Sequence, residues 1–429
     1  MKVGRWKVLG LAGALALGYV VSGEAAQIKV DDNTWANFGL NMKIWYKNED
    51  KRASTDDWRK NKFSVGNAKI YFTGQVAPLF QFYGEFDQEK STSLGEAGIN
   101  LAFAKEFQVL AGKIRKSFTR AQLSSGYALL TPQGYWLDPQ DGIKGIKGSA
   151  LGNVDYGLMV HGDLAGGMFR YRIGIYNEDR SNATKYWEGD EDDGWTGYSA
   201  IGKFNDKKNF EWNARIEFTP TMLGFKPESA ATITAKVADT YLGKKDVLTI
   251  GLGYHTETHT PKFSSTLGDL KRKGWTVDAL FEKKFGNLVP NLQVGYISLD
   301  NTHYYKVFDS TGAYVGTKKG DTEVCYVQGQ LLFDQVAWLG KPAIAFRYES
   351  IKADGQWTDE DSAPKKDLKT ETFGLAFNYY LKGQAARISL GFDQTKYKGA
   401  LKSYLKRGDS STKKEDSITD WYLYLQSQF

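Results

Sequence analysis

Cysteine is nearly missing from this chain: Cys325 is the only one in 429 residues. That excludes an intramolecular disulfide and a Cys-based zinc site. Proline is scarce as well, with nine residues against 46 Gly, 25 Tyr, 24 Phe and 12 Trp. Aromatics with Gly favour strands and tight turns over helical bundles. Past the N-terminus no apolar run approaches the length of a transmembrane helix, and mean hydropathy is −0.47. A helical membrane span is therefore excluded, which leaves a soluble exported protein or a transmembrane barrel. P-loop, dinucleotide-binding and nucleophile-elbow patterns are also lacking, so no cofactor is expected. His161 and Asp163 stand near the end of a predicted strand, but no Ser can be assigned to them, and the chain does not read as an enzyme.

What is present begins with "MKVGRWK" and a 14-residue apolar run from Val8 to Val21. The small residues Gly23 and Ala25 then occupy the −3 and −1 positions of a cut after Ala25. Residues 1–25 read as a secretory signal peptide, too short for a comfortable span. Its loss takes away Lys2, Arg5, Lys7 and Glu24 and lowers the formal charge from +6 to +4. So small an excess gives no reason to expect a nucleic-acid partner.

The remainder, residues 26–429, reads as one domain dominated by period-two alternation. In "LKTETFGLAFNYYL", Phe373, Leu375, Phe377, Tyr379 and Leu381 share one face, with Thr372, Gly374, Ala376 and Asn378 on the other. Phe210 to Phe218 and Phe169 to Ile175 alternate in the same way. Many runs have the length a tilted strand needs to cross a bilayer, and aromatics stand at their ends. A soluble exported sandwich would alternate too, but without aromatic girdles and loop parity. The connections alternate between long and short, giving eight long and seven mostly short ones. The fold class expected is all-β, a transmembrane antiparallel barrel of 16 strands with its long loops extracellular. The segment 220–246 breaks the parity. If "ATITAKVA" within it and "WTGYSAIGKF" at 195–204 both span, the count becomes 18.

A barrel of this size leaves an aqueous channel. Alternation assigns Lys43, Lys69, Arg170, Arg172, Arg215, Arg347 and Arg387 to the inner wall, with Glu85, Asp87, Glu211, Glu217, Asp278 and Glu282 on the same faces. Arginine suits bidentate contact with oxyanions. The long connection 115–153 is the candidate constriction, flanked by Lys113, Arg115, Lys116 and Arg120 at its start and Lys144 and Lys147 near its end. "YHTETH" offers His255, Glu257 and His259 as a weak metal candidate on one strand face. Acidic stretches such as "EGDEDDG" read as solvated loop tips.

At the loop, "VLAGKIRKSFTRAQLSSGYALL" resembles a segment of the phosphate-selective porin O/P family. "YGLMVHGDLAGGMFRYRIGIYNED" and "NARIEFTP" are similar to that family's hairpin and strand-end motifs. The resemblance implies a 16-stranded outer-membrane porin, generally trimeric, with an inward-folded third loop and basic lumen residues. Where that family often has Arg in the second strand, this chain has Asn67 and Lys69.

The sequence reading is thus a Gram-negative outer-membrane porin for passive diffusion of small anionic, phosphate-like solutes. Its alternatives are a non-selective general porin and a barrel that serves mainly as an adhesin or structural protein. The partners expected are outer-membrane lipid and lipopolysaccharide, small solutes, two further copies in a homotrimer, and the barrel-assembly machinery. The last would read the terminal strand, in which Trp421, Leu423, Leu425, Ser427 and Phe429 share the lipid face.

Overall fold

The computed structural model describes residues 26–49, 60–88, 93–132, 153–177, 209–228, 233–259, 269–357, 365–399 and 417–429. The signal-peptide assignment, "WTGYSAIGKF", Lys144 and Lys147 lie outside these residues.

The strands are β1 (Ala26–Lys29), β2 (Trp35–Glu49), β3 (Lys60–Ala77), β4 (Phe80–Asp87), β5 (Ser93–Ala102) and β6 (Gln108–Arg115), followed by one short helix, α1 (Arg120–Leu123). Next come β7 (Val154–Leu164), β8 (Phe169–Asn177), β9 (Phe210–Phe218), β10 (Val247–His259), β11 (Leu270–Glu282) and β12 (Leu288–Phe308). The last five are β13 (Tyr314–Phe333), β14 (Lys341–Trp357), β15 (Lys365–Tyr380), β16 (Ala386–Gly399) and β17 (Ser417–Gln428). From β2 onward each strand pairs antiparallel with the next, and β17 returns to pair with β2 from Trp421↔Asn48 to Gln428↔Asn41. The result is a closed 16-strand antiparallel barrel. Closure leaves no unpaired edge, the condition for placing strands in lipid. The Phe429 N–H donates to Leu40 O at 3.1 Å, and Leu40 N–H returns the bond at 3.0 Å. β1 continues along the edge of β2 that β17 leaves, with Ala26 opposite Phe38.

The period-two pattern becomes an inside and an outside. On β11 every second residue is buried, and on β17 Tyr422, Tyr424 and Gln426 point inward while Trp421, Leu423 and Leu425 point out. The outer wall exposes large apolar side chains all round, such as Leu252 at 54%, Ile344 at 51% and Leu390 at 57%. A belt of that extent suits hydrocarbon rather than water. Leu390→Arg is accordingly expected to cost about 2–4 kcal/mol if the site lies near mid-bilayer. Urea titration of protein folded into vesicles reads this directly, and an unchanged midpoint would remove Leu390 from the lipid face.

One end carries short turns and the other the long connections. Two segments depart from the expected layout. Residues 301–321, one of the eight connections that sequence parity makes long, are mostly strand: β12 and β13 run on as a hairpin that closes at Asp309–Ala313. The connection from β9 to β10 is long but adds no strand. Its only ladder contact among the described residues is a parallel bridge between Val237 and Ser124, so the described part of "ATITAKVA", 233–238, does not span. Its apolar alternation serves another purpose, described next.

Candidate constriction in the barrel lumen

Two chain segments enter the barrel from opposite ends. The first follows β6, at the long-loop end. Thr119 caps α1 through a reciprocal pair with Gln122: the Thr119 N–H donates to Gln122 Oε1 at 2.9 Å, and the Gln122 N–H donates to Thr119 Oγ1 at 3.1 Å. Phe118, just before the cap, packs on inward-facing Ile297, Leu299 and Val324. Leu130 packs on Ala345 and Ala376. Between these anchors the wall holds the backbone. Lys43 Nζ donates to Gly126 O at 2.6 Å, Gln426 Nε2 to Tyr127 O at 3.0 Å and Asn378 Nδ2 to Leu130 O at 2.8 Å. The third long connection is therefore folded inward over residues 116–132, as expected.

The second segment, between β9 and β10, comes from the turn end. Its Ile233 and Ala235 cover an apolar patch of the inner wall formed by Tyr83, Leu110, Ile114, Met159 and Tyr176. Leu242 covers another, formed by Val289, Leu332, Ala343 and Tyr380. Such patches would be costly in a water-filled lumen, and these segments remove them from water. Polar contacts fix the segment's height. Glu282 accepts the N–H groups of Tyr241 and Gly243, at 3.1 and 3.0 Å, and the Thr240 hydroxyl at 2.7 Å. Asn291 and Gln293 side-chain amides donate to Asp239 O at 2.8 and 2.7 Å.

The two segments meet and join. Val237 N–H donates to Leu123 O at 3.0 Å, and Ser125 N–H donates to Val237 O at 2.8 Å. Arg120 makes a fork-to-fork pair with Glu228, at 2.5 and 2.7 Å, and donates to Ala238 O at 2.7 Å. Burial would raise the Glu228 carboxyl, but the Arg120 guanidinium outweighs it and holds the group below the usual carboxylate range. Asp239, which accepts from Ser124 Oγ at 2.5 Å and Gln328 Nε2 at 3.0 Å, is pushed up by burial because Arg120 compensates it less. Together the segments form a partition across the lumen.

This partition decides the fate of the inner-wall charges. Arg170, Arg172, Arg215, Arg347 and Arg387 are buried and Lys43 and Lys69 half-buried, but the arginines do not line open water. Arg215 binds Asp278 at 2.6 Å and Glu217 at 2.8 Å, Arg172 binds Glu217 at 2.9 Å and Arg170 binds Asp163 at 2.6 Å. Arg347 pairs with Asp393 at 3.0 Å, and Arg387 donates to Leu129 O at 2.5 Å between the rings of Tyr380 and Tyr424. Lys116 is sealed against Glu211 and lies 3.5 Å from Asp155. Arg120 belongs to the joint just described. Lys113 shares the parity of the outward Val109 and Ala111, and its ammonium reaches Leu94 O at 2.5 Å. Arg115 shares that parity, yet its guanidinium turns inward to donate to Gln122 O and Ser124 O, each at 2.8 Å. Asp163 is engaged by Arg170, and His161 Nε2 lies 3.1 Å from Asn100 Oδ1.

On the β2–β6 side, water reaches further. Lys69 binds Glu85 at 2.5 Å, and Arg115 binds Glu96 at 3.0 Å. Lys236, carried by the turn-end segment, reaches across to Glu85 at 3.3 Å and Glu96 at 3.2 Å. Lys69 and Lys236 side chains each keep 18% exposure, against 4% for Arg172 and 0% for Arg215. Asp87 on β4 is half-buried at the same wall.

Sequence reasoning missed Lys236, Glu228, Asp239 and Glu96 as lumen residues. For the first three the only signal was the parity-breaking length of 220–246. The metal candidate changes too. Among the described residues, Glu211 forms a group with His255 and Glu257 whose ligand atoms lie within 4.8 Å of one another; the His259 side chain is outside the described residues. Lys116 is bonded to Glu211 and Arg272 to Glu257, so these carboxylates already have cations and the group reads as an internal ion-pair network.

No family model matches the chain. A protein of Aquifex aeolicus described as uncharacterized is 26% identical over 296 residues, which is 68% of this chain and 59% of that relative's length. Among solved structures, the outer membrane channel DcaP of Acinetobacter baumannii superposes with a TM-score of 0.52 at 11% identity, over 94% of this chain and 99% of that one. An anion-selective porin from Comamonas acidovorans gives 0.51 at 10% identity, over 92% and 100%. OmpF of Salmonella typhi gives 0.51 at 11% identity, over 94% and 100%. At these identities the likeness concerns the fold: the chain has the barrel architecture of outer-membrane porins. Membership of the phosphate-selective family gains no support from these comparisons.

Proposed function

We propose that this protein is a porin-like channel of the bacterial outer membrane, passing small solutes through a narrowed lumen with a preference for anions. The observation that carries this reading is the contrast between the two lumen walls. The ionic groups of the β7–β11 wall are paired and buried, while the β2–β6 wall keeps lysines with part of their side chains exposed. In the orientation proposed, the short turns face the periplasm, residues 1–25 are removed on export, and Phe429 ends the strand that the assembly machinery reads. Lipopolysaccharide around the long loops and a trimeric assembly belong to the same reading. Phosphate is one solute of suitable charge, and a general porin with little preference is the neighbouring outcome.

Purified protein in a planar bilayer is expected to give small, discrete conductance steps, because two chain segments join inside the lumen of the 16-strand barrel. In asymmetric KCl the reversal potential is expected to have the sign of chloride permeation. The partition itself favours one second reading, a plugged barrel that acts through its loops. Complete electrical silence in reconstituted protein would select that reading and remove the channel.

A further inference from the structure

We infer that Lys236 is the specificity-determining charge of the constriction, an inference that rests on the channel reading above. Charge balance at the water-reached wall points to it. Without Lys236, the cations Lys69 and Arg115 face the carboxylates Glu85 and Glu96, each cation paired with one carboxylate at 2.5 and 3.0 Å. That set is neutral, and Asp87, half-buried on the same wall, takes the wall to one net negative charge. Lys236 lies between the two carboxylates, 3.3 Å from Glu85 and 3.2 Å from Glu96, and adds one positive charge to the set. Lys43 adds a second nearby, with its ammonium on Gly126 O and 4.7 Å from the centroid of the Tyr127 ring. The Tyr127 hydroxyl in turn donates to Asn67 Oδ1 at 2.5 Å, so the inward loop closes this side of the lane.

Position makes Lys236 decisive. It sits one residue before Val237, the point where the two lumen segments hydrogen-bond, so its backbone is held where they join. It is followed by the Arg120 joint at Ala238 and the Asp239 anchor. A charge fixed there acts on every ion that passes, whereas lysines on loop tips are screened within a Debye length. The residue reaches the wall from the turn end, on a segment whose alternation reads as an ordinary strand. The selectivity of this barrel is thereby assigned to the short-turn side as well as to the inward loop.

The test is reversal potential across a KCl gradient for three variants beside the parent. Lys236→Gln is expected to lower the chloride-to-potassium permeability ratio about threefold, the scale of one charge acting through water over a few ångströms. Lys236→Glu is expected to reverse the sign of the reversal potential. Glu85→Gln keeps Lys236 and is expected to move the ratio the other way, which protects the test if either Lys236 variant fails to assemble. Open channels with the parent's ratio in all three variants would overturn the role of Lys236 and leave the channel reading standing. Absence of current in the parent would overturn the channel reading itself.

Discussion

Replacing residues 222–245 with an Asn-Gly link is expected to raise single-channel conductance several-fold. β9 and β10 are already antiparallel neighbours, with Phe218 opposite Ile250 and Thr256 opposite Trp212, so a tight turn satisfies their ladder. What the excision removes is the turn-end half of the partition. The inward segment 116–132 would then lose the partners of Leu123, Ser124, Ser125 and Arg120. The opened lumen would carry Leu110, Ile114 and Met159 bare to water, along with a buried Glu282 that has lost three donors. A lower thermal stability in detergent should accompany the larger current, since apolar area and paired carboxylates are both re-exposed. A truncated barrel with unchanged conductance would place the constriction elsewhere.

Arg120→Ala is the second large effect. The guanidinium is buried, bound twice to Glu228 and once to the backbone of Ala238. Its removal strands a buried carboxylate, and breaking such a pair from one side costs about 3–5 kcal/mol. Removing both charges is different: Arg120→Met with Glu228→Leu is expected to recover most of the loss, because the desolvation cost goes with the pair. Urea unfolding of the parent, the two single variants and the double variant closes the cycle. Additive losses would mean that the two groups do not act as a unit.

The barrel was legible in the sequence because its signal is local. Faces follow from parity, so Trp421, Leu423 and Leu425 could be placed on the outer wall from the sequence. Parity also placed Arg170, Arg172 and Arg215 inside. It could not show that Glu217 and Asp278 take up their charges, because alternation gives a face and not a partner. The turn-end segment was illegible for a related reason. Val237 answers to Leu123 and Ser125, and Glu228 to Arg120 across 108 positions. A run of alternating apolar residues looks the same whether its apolar side meets lipid or covers an inner-wall patch such as Leu110 and Met159.

The seam between β2 and β17 carries a consequence for how the molecule folds. At its end the Tyr71 hydroxyl of β3 reaches past β2 to donate to Phe429 O, 358 positions away in the chain. Closing so long a loop is costly only logarithmically in stability, but contacts of that separation dominate the time a chain needs to find its native state. Both lumen segments lie between the two strands of the seam in the chain. A route in which they condense on the curling sheet before the last strand docks needs no threading through a finished cylinder. The apolar clusters around Phe118 and Ile233 would then serve as a nucleus, as a soluble domain's interior does. On that route the partition that narrows the passage is also the former around which the wall is wound.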